Sequence, residues 1–415
     1  MKNMNGMKAL IAGFLINMTF GVLYAWSIFA FNLTETLNWT KTQASLPYTT
    51  AIMMFAVMMI PAGKLQEKYG GKLITSIGGI LTGLGLILSS VFTSTAGMCI
   101  SFGMFAGSGI GIGYAAVTPA AVKWFPANKK GVITGIVVSG FGLSTIYMAP
   151  LTHWMINQFG IYSSFRILGI SIIVIVVSLS QLFCKTESIP GVIEDTRNEI
   201  SWREMIKTKE FALLWIMFAS GALGGLMIIG HLSKIVSLQL GKNIGFTLVA
   251  LTAISNASGR PISGMISDKI GRAKTMLLLS ACQGLIFLSM NRLNSFYALL
   301  FGAAVITFTY GSSFAVYPSA ISDLFGKKNF GVNYGILFSA WGLGGVAGPI
   351  IAGKMVDLTG NYQYAYGIAA TLSLSSAVIA YGFSKLENRS LRAGTGALCG
   401  AHIGGTEPFC AEESK

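Results

Sequence analysis

Phe125-Pro-Ala-Asn-Lys-Lys-Gly131-Val-Ile-Thr-Gly135-Ile-Val-Val-Ser139 returns as Phe325-Gly-Lys-Lys-Asn-Phe-Gly331-Val-Asn-Tyr-Gly335-Ile-Leu-Phe-Ser339, displaced by 200 residues. A second pair, Gly63-Lys-Leu-Gln-Glu67-Lys68-Tyr-Gly70 and Gly264-Met-Ile-Ser-Asp268-Lys269-Ile-Gly271, is displaced by 201. Chance is a poor explanation for two separate motifs at nearly one offset, so the chain reads as two copies of one unit. Each copy carries six apolar segments. They lie near 7–31, 44–62, 72–92, 97–124, 130–151 and 164–185, then near 211–236, 246–267, 272–290, 297–325, 330–352 and 363–384. Each is long enough to cross ~30 Å of hydrocarbon as a helix. The expected fold is all-α and membrane-embedded, with 12 transmembrane helices in two six-helix halves. We divide the chain into an N-terminal bundle (1–186), a polar linker (187–210), a C-terminal bundle (211–385) and a tail (386–415) expected to be disordered.

Composition supports that reading. Of 415 residues, 53% are hydrophobic and only 11% charged, against roughly 25% charged in soluble domains. The net charge of +14 in a soluble protein would raise nucleic acid as a partner. Here the basic residues sit in short loops with no basic stripe among exposed aromatics, so nucleic acid is rejected. They orient the chain instead. Of 29 Lys and Arg, 22 fall on the side that holds both termini and the linker, and 5 on the other. Arg166 and Arg260 stay within spans. The bias places both termini in the cytoplasm and the protein, multi-pass, in the inner (plasma) membrane. The first span is too long for a signal-peptide core and reads as an anchor. Five Cys show no framework spacing. No P-loop, His-Glu-x-x-His or Gly-x-Ser-x-Gly motif is present, and Gly342-x-Gly344-x-x-Ala347 lacks the strand a dinucleotide fingerprint needs. No enzyme activity, cofactor or metal is expected.

The paired Gly-x-x-x-(Asp/Glu)-Lys-x-Gly loops resemble the signature of the major facilitator superfamily. More narrowly, Tyr24-Ala-Trp-Ser-Ile-Phe29, Glu204-Met-Ile-Lys-Thr-Lys-Glu-Phe211-Ala-Leu-Leu-Trp215, Gly259-Arg260-Pro261 and Tyr317-Pro-Ser-Ala-Ile-Ser-Asp323-Leu-Phe325 are similar to the oxalate–formate antiporter family. That family is related to the monocarboxylate (lactate and pyruvate) transporters. The resemblance covers roughly residues 7–385 and implies a secondary transporter that alternates access by rocking its two halves.

Arg260 is the first candidate for substrate binding. A guanidinium inside a span costs from about 2.5 kcal/mol upward and usually faces an aqueous cavity. Its planar fork matches a carboxylate with two parallel hydrogen bonds. An internal ion pair is the alternative, but no acidic residue lies near that depth in the spans. Asn256 lies one helical turn away on the same face and is expected to add a hydrogen bond. The resemblance places Tyr24, Tyr114, Tyr310, Phe314, Phe338 and Trp341 at the cavity, and Leu23 joins them in shaping the pocket. Packing or interface anchoring is the plainer role for each aromatic. The oxalate carriers of that family put a Lys where this chain has Trp341, so one central cation remains where a dicarboxylate site uses two. His231 is a possible proton relay or a solvated interface residue. Glu67, Lys68, Asp268, Lys269 and Arg272 are candidate gating residues that latch the cytoplasmic side across the halves, or else plain solvated turns. Small-residue ridges at Gly103, Gly107 and Gly111, and at Gly331, Gly335 and Ser339, are expected to let helices approach closely.

The expected function is secondary active transport of small monocarboxylates (lactate, pyruvate or formate), coupled to a proton or a counter-anion. The expected partners are that substrate and the lipid bilayer, with the protein a monomer. An oxalate/formate-type exchanger is the chief alternative, and a drug-efflux carrier a third.

Overall fold

The computed structural model describes residues 2–183, 199–241, 245–326 and 328–400. Most of the linker, and the tail from 401, lie outside the described residues. Ten described helices are long and apolar enough to cross a membrane. The first crossing is α1 (Lys2–Phe20) continued through a 3-10 turn, Gly21–Ala25, into α2 (Trp26–Leu37). The second and third are α3 (Lys41–Tyr69) and α4 (Gly71–Ser89). The fourth joins a short α5 (Thr95–Met98), a π-helical stretch over Cys99–Ala106 and α6 (Gly107–Val122).

Next comes α7 (Lys130–Ser180), two helices that meet at a kink and make two crossings. Gly160, at φ 77°, breaks it into the fifth and sixth. The short α8 (Trp202–Met205) precedes α9 (Lys209–Leu240), and α10 (Gly245–Ile270) follows. This α10 is not among the ten apolar helices, because Asn256, Arg260 and several Ser and Thr dilute its hydropathy. Arg260 is nevertheless at its centre and buried. The remaining crossings are α11 (Arg272–Ser289), α12 (Phe296–Phe325), α13 (Phe330–Thr359) and α14 (Gln363–Gly400). Dividing α7 and including α10 brings the crossings to twelve. The last helix extends beyond the expected end of the bundle at 385.

The duplication reaches into backbone geometry. Gly70 and Gly271 turn the chain at φ 87° and 94°, and Gly160 and Gly360 do so at 77° and 74°. These pairs stand 201 and 200 residues apart. Only glycine adopts such φ without steric cost, which explains glycine at the matching positions, although Gly160 (ψ 165°) and Gly360 (ψ −2°) lead into different turns.

The halves meet along two seams of small residues. Gly63 on α3 lies against Gly331 on α13, and a Cβ on Gly335 would sit 2.8 Å from the Met59 carbonyl oxygen. On the related seam, a Cβ on Gly131 of α7 would sit 2.6 Å from the Gly264 carbonyl oxygen of α10, and Gly135 abuts the Arg260 carbonyl. Side chains at these glycines would force the backbones apart. The ridge at 331 and 335 thus packs one half against the other, while Gly107 and Gly111 pack within the N-terminal half, against Ala51 and Phe55.

Candidate functional site

Polar groups inside a helical membrane protein are costly unless paired. Arg260 is 1% exposed and only partly paired. Its Nη1 donates to the backbone carbonyl of Val138, on α7 in the opposite half. Its Nη2 donates to Asn256 Oδ1 at 3.3 Å. Nε is buried with no partner. The guanidinium carbon stands 4.7 Å from the centre of the Phe314 ring, a contact worth roughly 0.5–2 kcal/mol. Room for the group comes from Gly142, where a Cβ would sit 3.3 Å from the guanidinium carbon. Among the described residues no carboxylate lies within ion-pair distance of Arg260. Asn256 accepts from Arg260 through its amide oxygen, which leaves its Nδ2 donors available for a further hydrogen bond.

Around this charge stands an aromatic shell. Phe314 leads to Tyr310 at 5.2 Å and to Phe338 at 6.0 Å between ring centres, and Phe338 leads to Trp341 at 4.8 Å. Trp341 Nε1 donates to the Tyr310 hydroxyl at 2.8 Å, so its polar edge is satisfied within the shell. From the other half, Tyr114 packs on Phe338 at 5.8 Å. Tyr24 packs edge-on against Phe141 at 5.2 Å. Leu23 is buried within the same core. These contacts link Arg260, Asn256, Phe314, Tyr310, Phe338, Trp341 and Tyr114, with Tyr24 joined through Phe141, whereas Leu23 is placed only as a buried member of the wider core.

Three members of the shell escaped the sequence reading. Phe55 contacts Tyr114, Phe338 and Trp341 at 5.4, 5.3 and 5.5 Å. Phe141 contacts Tyr24 and Tyr114, and Tyr334 lies 5.7 Å from Phe338. A signal for two of them existed. Subtracting 200 from Trp341 gives Phe141, and subtracting 201 from Asn256 gives Phe55.

At the end of the bundle that carries the repeated loops, the halves are clasped. Asp268, at the end of α10, accepts from the backbone amides of Gly131 and Val132 in the first turn of α7, both at 3.0 Å. Arg272 Nη1 holds the same carboxylate at 2.6 Å. Its Nε bonds Asp323 at 2.9 Å, and Lys130 bonds Asp323 at 3.1 Å. In the pseudo-symmetric position Glu67 accepts from the amide of Gly331, in the first turn of α13, at 3.0 Å. A carboxylate at a helix N-terminus meets unpaired amides and the positive end of the helix dipole. This second clasp lacks the ion pairs, since Lys123 and Phe330 stand 200 residues before Asp323 and after Lys130 respectively. Lys68 and Lys269 make no ion pair with a described residue, and Lys68 lies over Tyr69 at 5.0 Å. The sequence reading missed Lys130 and Asp323 as clasp members.

His231 is remote from this chemistry. Its Nδ1 lies 2.9 Å from the Tyr362 hydroxyl and its Nε2 lies 3.1 Å from the Pro349 carbonyl. These contacts tie α9 to α13 and to the start of α14. Among the described residues no group of three or more His, Cys, Asp or Glu side chains converges as a metal site would require.

The sequence profile of the Major Facilitator Superfamily matches residues 9–291 and 244–397. The chain belongs to that superfamily. It is 28% identical over 351 residues to YhjX, an uncharacterized transporter of the superfamily from Escherichia coli K12, covering 81% of this chain and 85% of that one. It is 27% identical over 340 residues to the oxalate:formate antiporter of Oxalobacter formigenes, covering 80% of each. Human monocarboxylate transporter 2 is 24% identical over 370 residues, covering 81% of this chain and 77% of the other. The structure superposes on a proton:xylose symporter with a TM-score of 0.72 at 12% identity, over 92% of this chain and 96% of that one. For the E. coli fucose:proton symporter the TM-score is 0.66 at 15% identity, over 90% and 98%. The protein is a multi-pass membrane transporter of this superfamily, a family and a fold of carriers rather than enzymes.

Proposed function

We propose that this transporter moves small monocarboxylates, of the lactate, pyruvate and formate class, by alternating access around Arg260. The observation that carries the reading is a buried guanidinium without a carboxylate partner, one of whose nitrogens has no hydrogen bond at all. Such a group is the electrostatic complement of one anionic substrate. A carboxylate that takes the fork of Arg260 competes with the Val138 carbonyl of the opposite half. Substrate binding would then loosen a link between the halves at mid-membrane.

The remaining lining favours an apolar tail. Phe55, Phe314, Phe338 and Trp341 meet one another at ring distances of 4.8 to 6.3 Å. A second carboxylate set against these faces would lose its hydration without a partner, at a cost of several kcal/mol. The oxalate:formate antiporter among the relatives favours a dicarboxylate exchanger as the second reading. Trp341, whose indole is committed to Tyr310, argues against it. The protein would work as a monomer in the inner membrane, with both termini and the 187–210 linker in the cytoplasm, driven by a proton or a counter-anion gradient.

The test is uptake of labelled lactate, formate and oxalate into proteoliposomes under imposed pH or counter-substrate gradients. Lactate or formate uptake that excess unlabelled oxalate fails to inhibit supports the proposal. Oxalate exchange as fast as lactate uptake would overturn it.

A further inference from the structure

A wedge-shaped groove opens between α11 and α14, at the end of the bundle opposite the clasps. At its base the helices touch: a Cβ on Gly284 would sit 2.7 Å from the Leu374 side chain, and Ser373 donates to Gln283 at 3.3 Å. From there they splay apart and enclose a cavity of about 670 Å³. One wall is Phe287, Leu288, Asn291 and Arg292, and the other runs from Gln363 to Leu372. Gly367 lies midway along the second wall, and a Cβ placed on it would meet nothing within 4 Å.

The groove is graded in polarity. Phe287 and Tyr366 are its buried members, Leu288, Ile368, Thr371 and Leu372 flank them, and Asn291, Arg292 and Gln363 stand at the helix ends. Arg292 is exposed and has no carboxylate within ion-pair distance among the described residues. Gln363 to Leu372 spans nine helical rises, about 14 Å. That is close to half of a ~30 Å hydrocarbon core, the depth of one leaflet.

We propose that this groove seats one anionic phospholipid from the leaflet opposite the clasps. The phosphate meets Arg292, and an acyl chain runs over Gly367 toward Leu372. Charge at one end, a mainly apolar lining and a length of one leaflet are the three features that suit a single diacyl lipid. The site lies within the C-terminal half and outside the Arg260 cluster. A lipid wedged there would hold the ends of the ninth and twelfth crossings apart while the halves rock.

Native mass spectrometry of the full chain tests this, with equimolar phosphatidylglycerol and phosphatidylcholine added to the detergent-solubilised protein. One phosphatidylglycerol should be retained with roughly fivefold preference, as expected for one basic residue near an anionic headgroup. Arg292→Gln should remove the preference while keeping lipid. Gly367→Leu, which places its side chain in open space, should reduce retention of both lipids with the thermal unfolding midpoint in detergent unchanged. Equal retention of the two lipids by the unmodified protein, or unaltered preference in Arg292→Gln, would overturn the proposal. So would undiminished lipid retention in Gly367→Leu.

Discussion

The two clasps differ in strength, and the difference can be measured. Asp268 accepts two backbone hydrogen bonds at 3.0 Å from the opposite half, and Glu67 accepts one of that length, from Gly331, with the Val332 amide a weaker second. A hydrogen bond to a charged group contributes about 1.5–3 kcal/mol and a neutral one about 0.5–1.5. Replacing the carboxylate by an amide keeps an acceptor but removes the charge, so each cross-half bond loses roughly 1–1.5 kcal/mol. Asp268→Asn should therefore weaken the closed state by about 2–3 kcal/mol, a shift of roughly 30- to 150-fold toward opening at the clasp end. Glu67→Gln should lose about half that energy, a shift of roughly tenfold. Spin labels on Lys64→Cys and Lys328→Cys, in a background with the native Cys replaced, report the separation of α3 and α13 across the second seam. Pulsed dipolar spectroscopy should show a longer-distance population that grows in the order unmodified, Glu67→Gln, Asp268→Asn. An unchanged distance distribution in Asp268→Asn would refute the reasoning, as would a larger opening in Glu67→Gln.

Arg260→Gln should abolish carboxylate uptake while the protein still inserts. Arg260→Lys should lose one of two charge-assisted bonds, about 1.5–3 kcal/mol, and so weaken apparent affinity roughly 10- to 150-fold in a proteoliposome uptake assay. Trp341→Lys should move the oxalate-to-lactate preference roughly 10- to 150-fold toward oxalate, one charge-assisted bond's worth, as read by competition for uptake. His231→Ala should leave the ratio of internal acidification to lactate uptake unchanged, because His231 bonds Tyr362 and Pro349 and touches no member of the Arg260 cluster. Acidification lost with uptake intact would make His231 the proton carrier.

The fold was legible because membrane solvation leaves few choices. A chain with 53% hydrophobic residues and six spans on each side of a polar linker must satisfy its backbone within helices. Boundaries were less legible. The fifth and sixth spans read as separate segments near 130–151 and 164–185, and two helices do meet there, but the kink falls at Gly160, beyond the expected end of the fifth. A glycine in an apolar run carries no turn signal of its own. It became interpretable only beside Gly360 at the same offset. Conversely, α10 reads as weakly apolar because it carries the site. The charged partners of the first clasp were harder still. Lys130 and Asp323 are 193 residues apart and meet only through tertiary packing.

The site itself is legible as a departure from the repeat. Shifted by the offset that relates the halves, Arg260 and Asn256 correspond to Met59 and Phe55, and Trp341 corresponds to Phe141. The backbone contacts respect the same symmetry: Gly135 abuts the Arg260 carbonyl, and Gly335 abuts the Met59 carbonyl. Two equivalent frames thus hold unlike side chains, cationic on one side of the axis and apolar on the other. Packing requires only the frames, since small residues at the seams let either half approach its partner. Nothing in packing requires the charge, whose burial is costly. A selected difference between duplicated positions is therefore the place to look for recognition, and its polarity describes the ligand. Under the proposed function, the substrate's anionic end would lie against Arg260 and its apolar end against Phe55, Phe338 and Trp341.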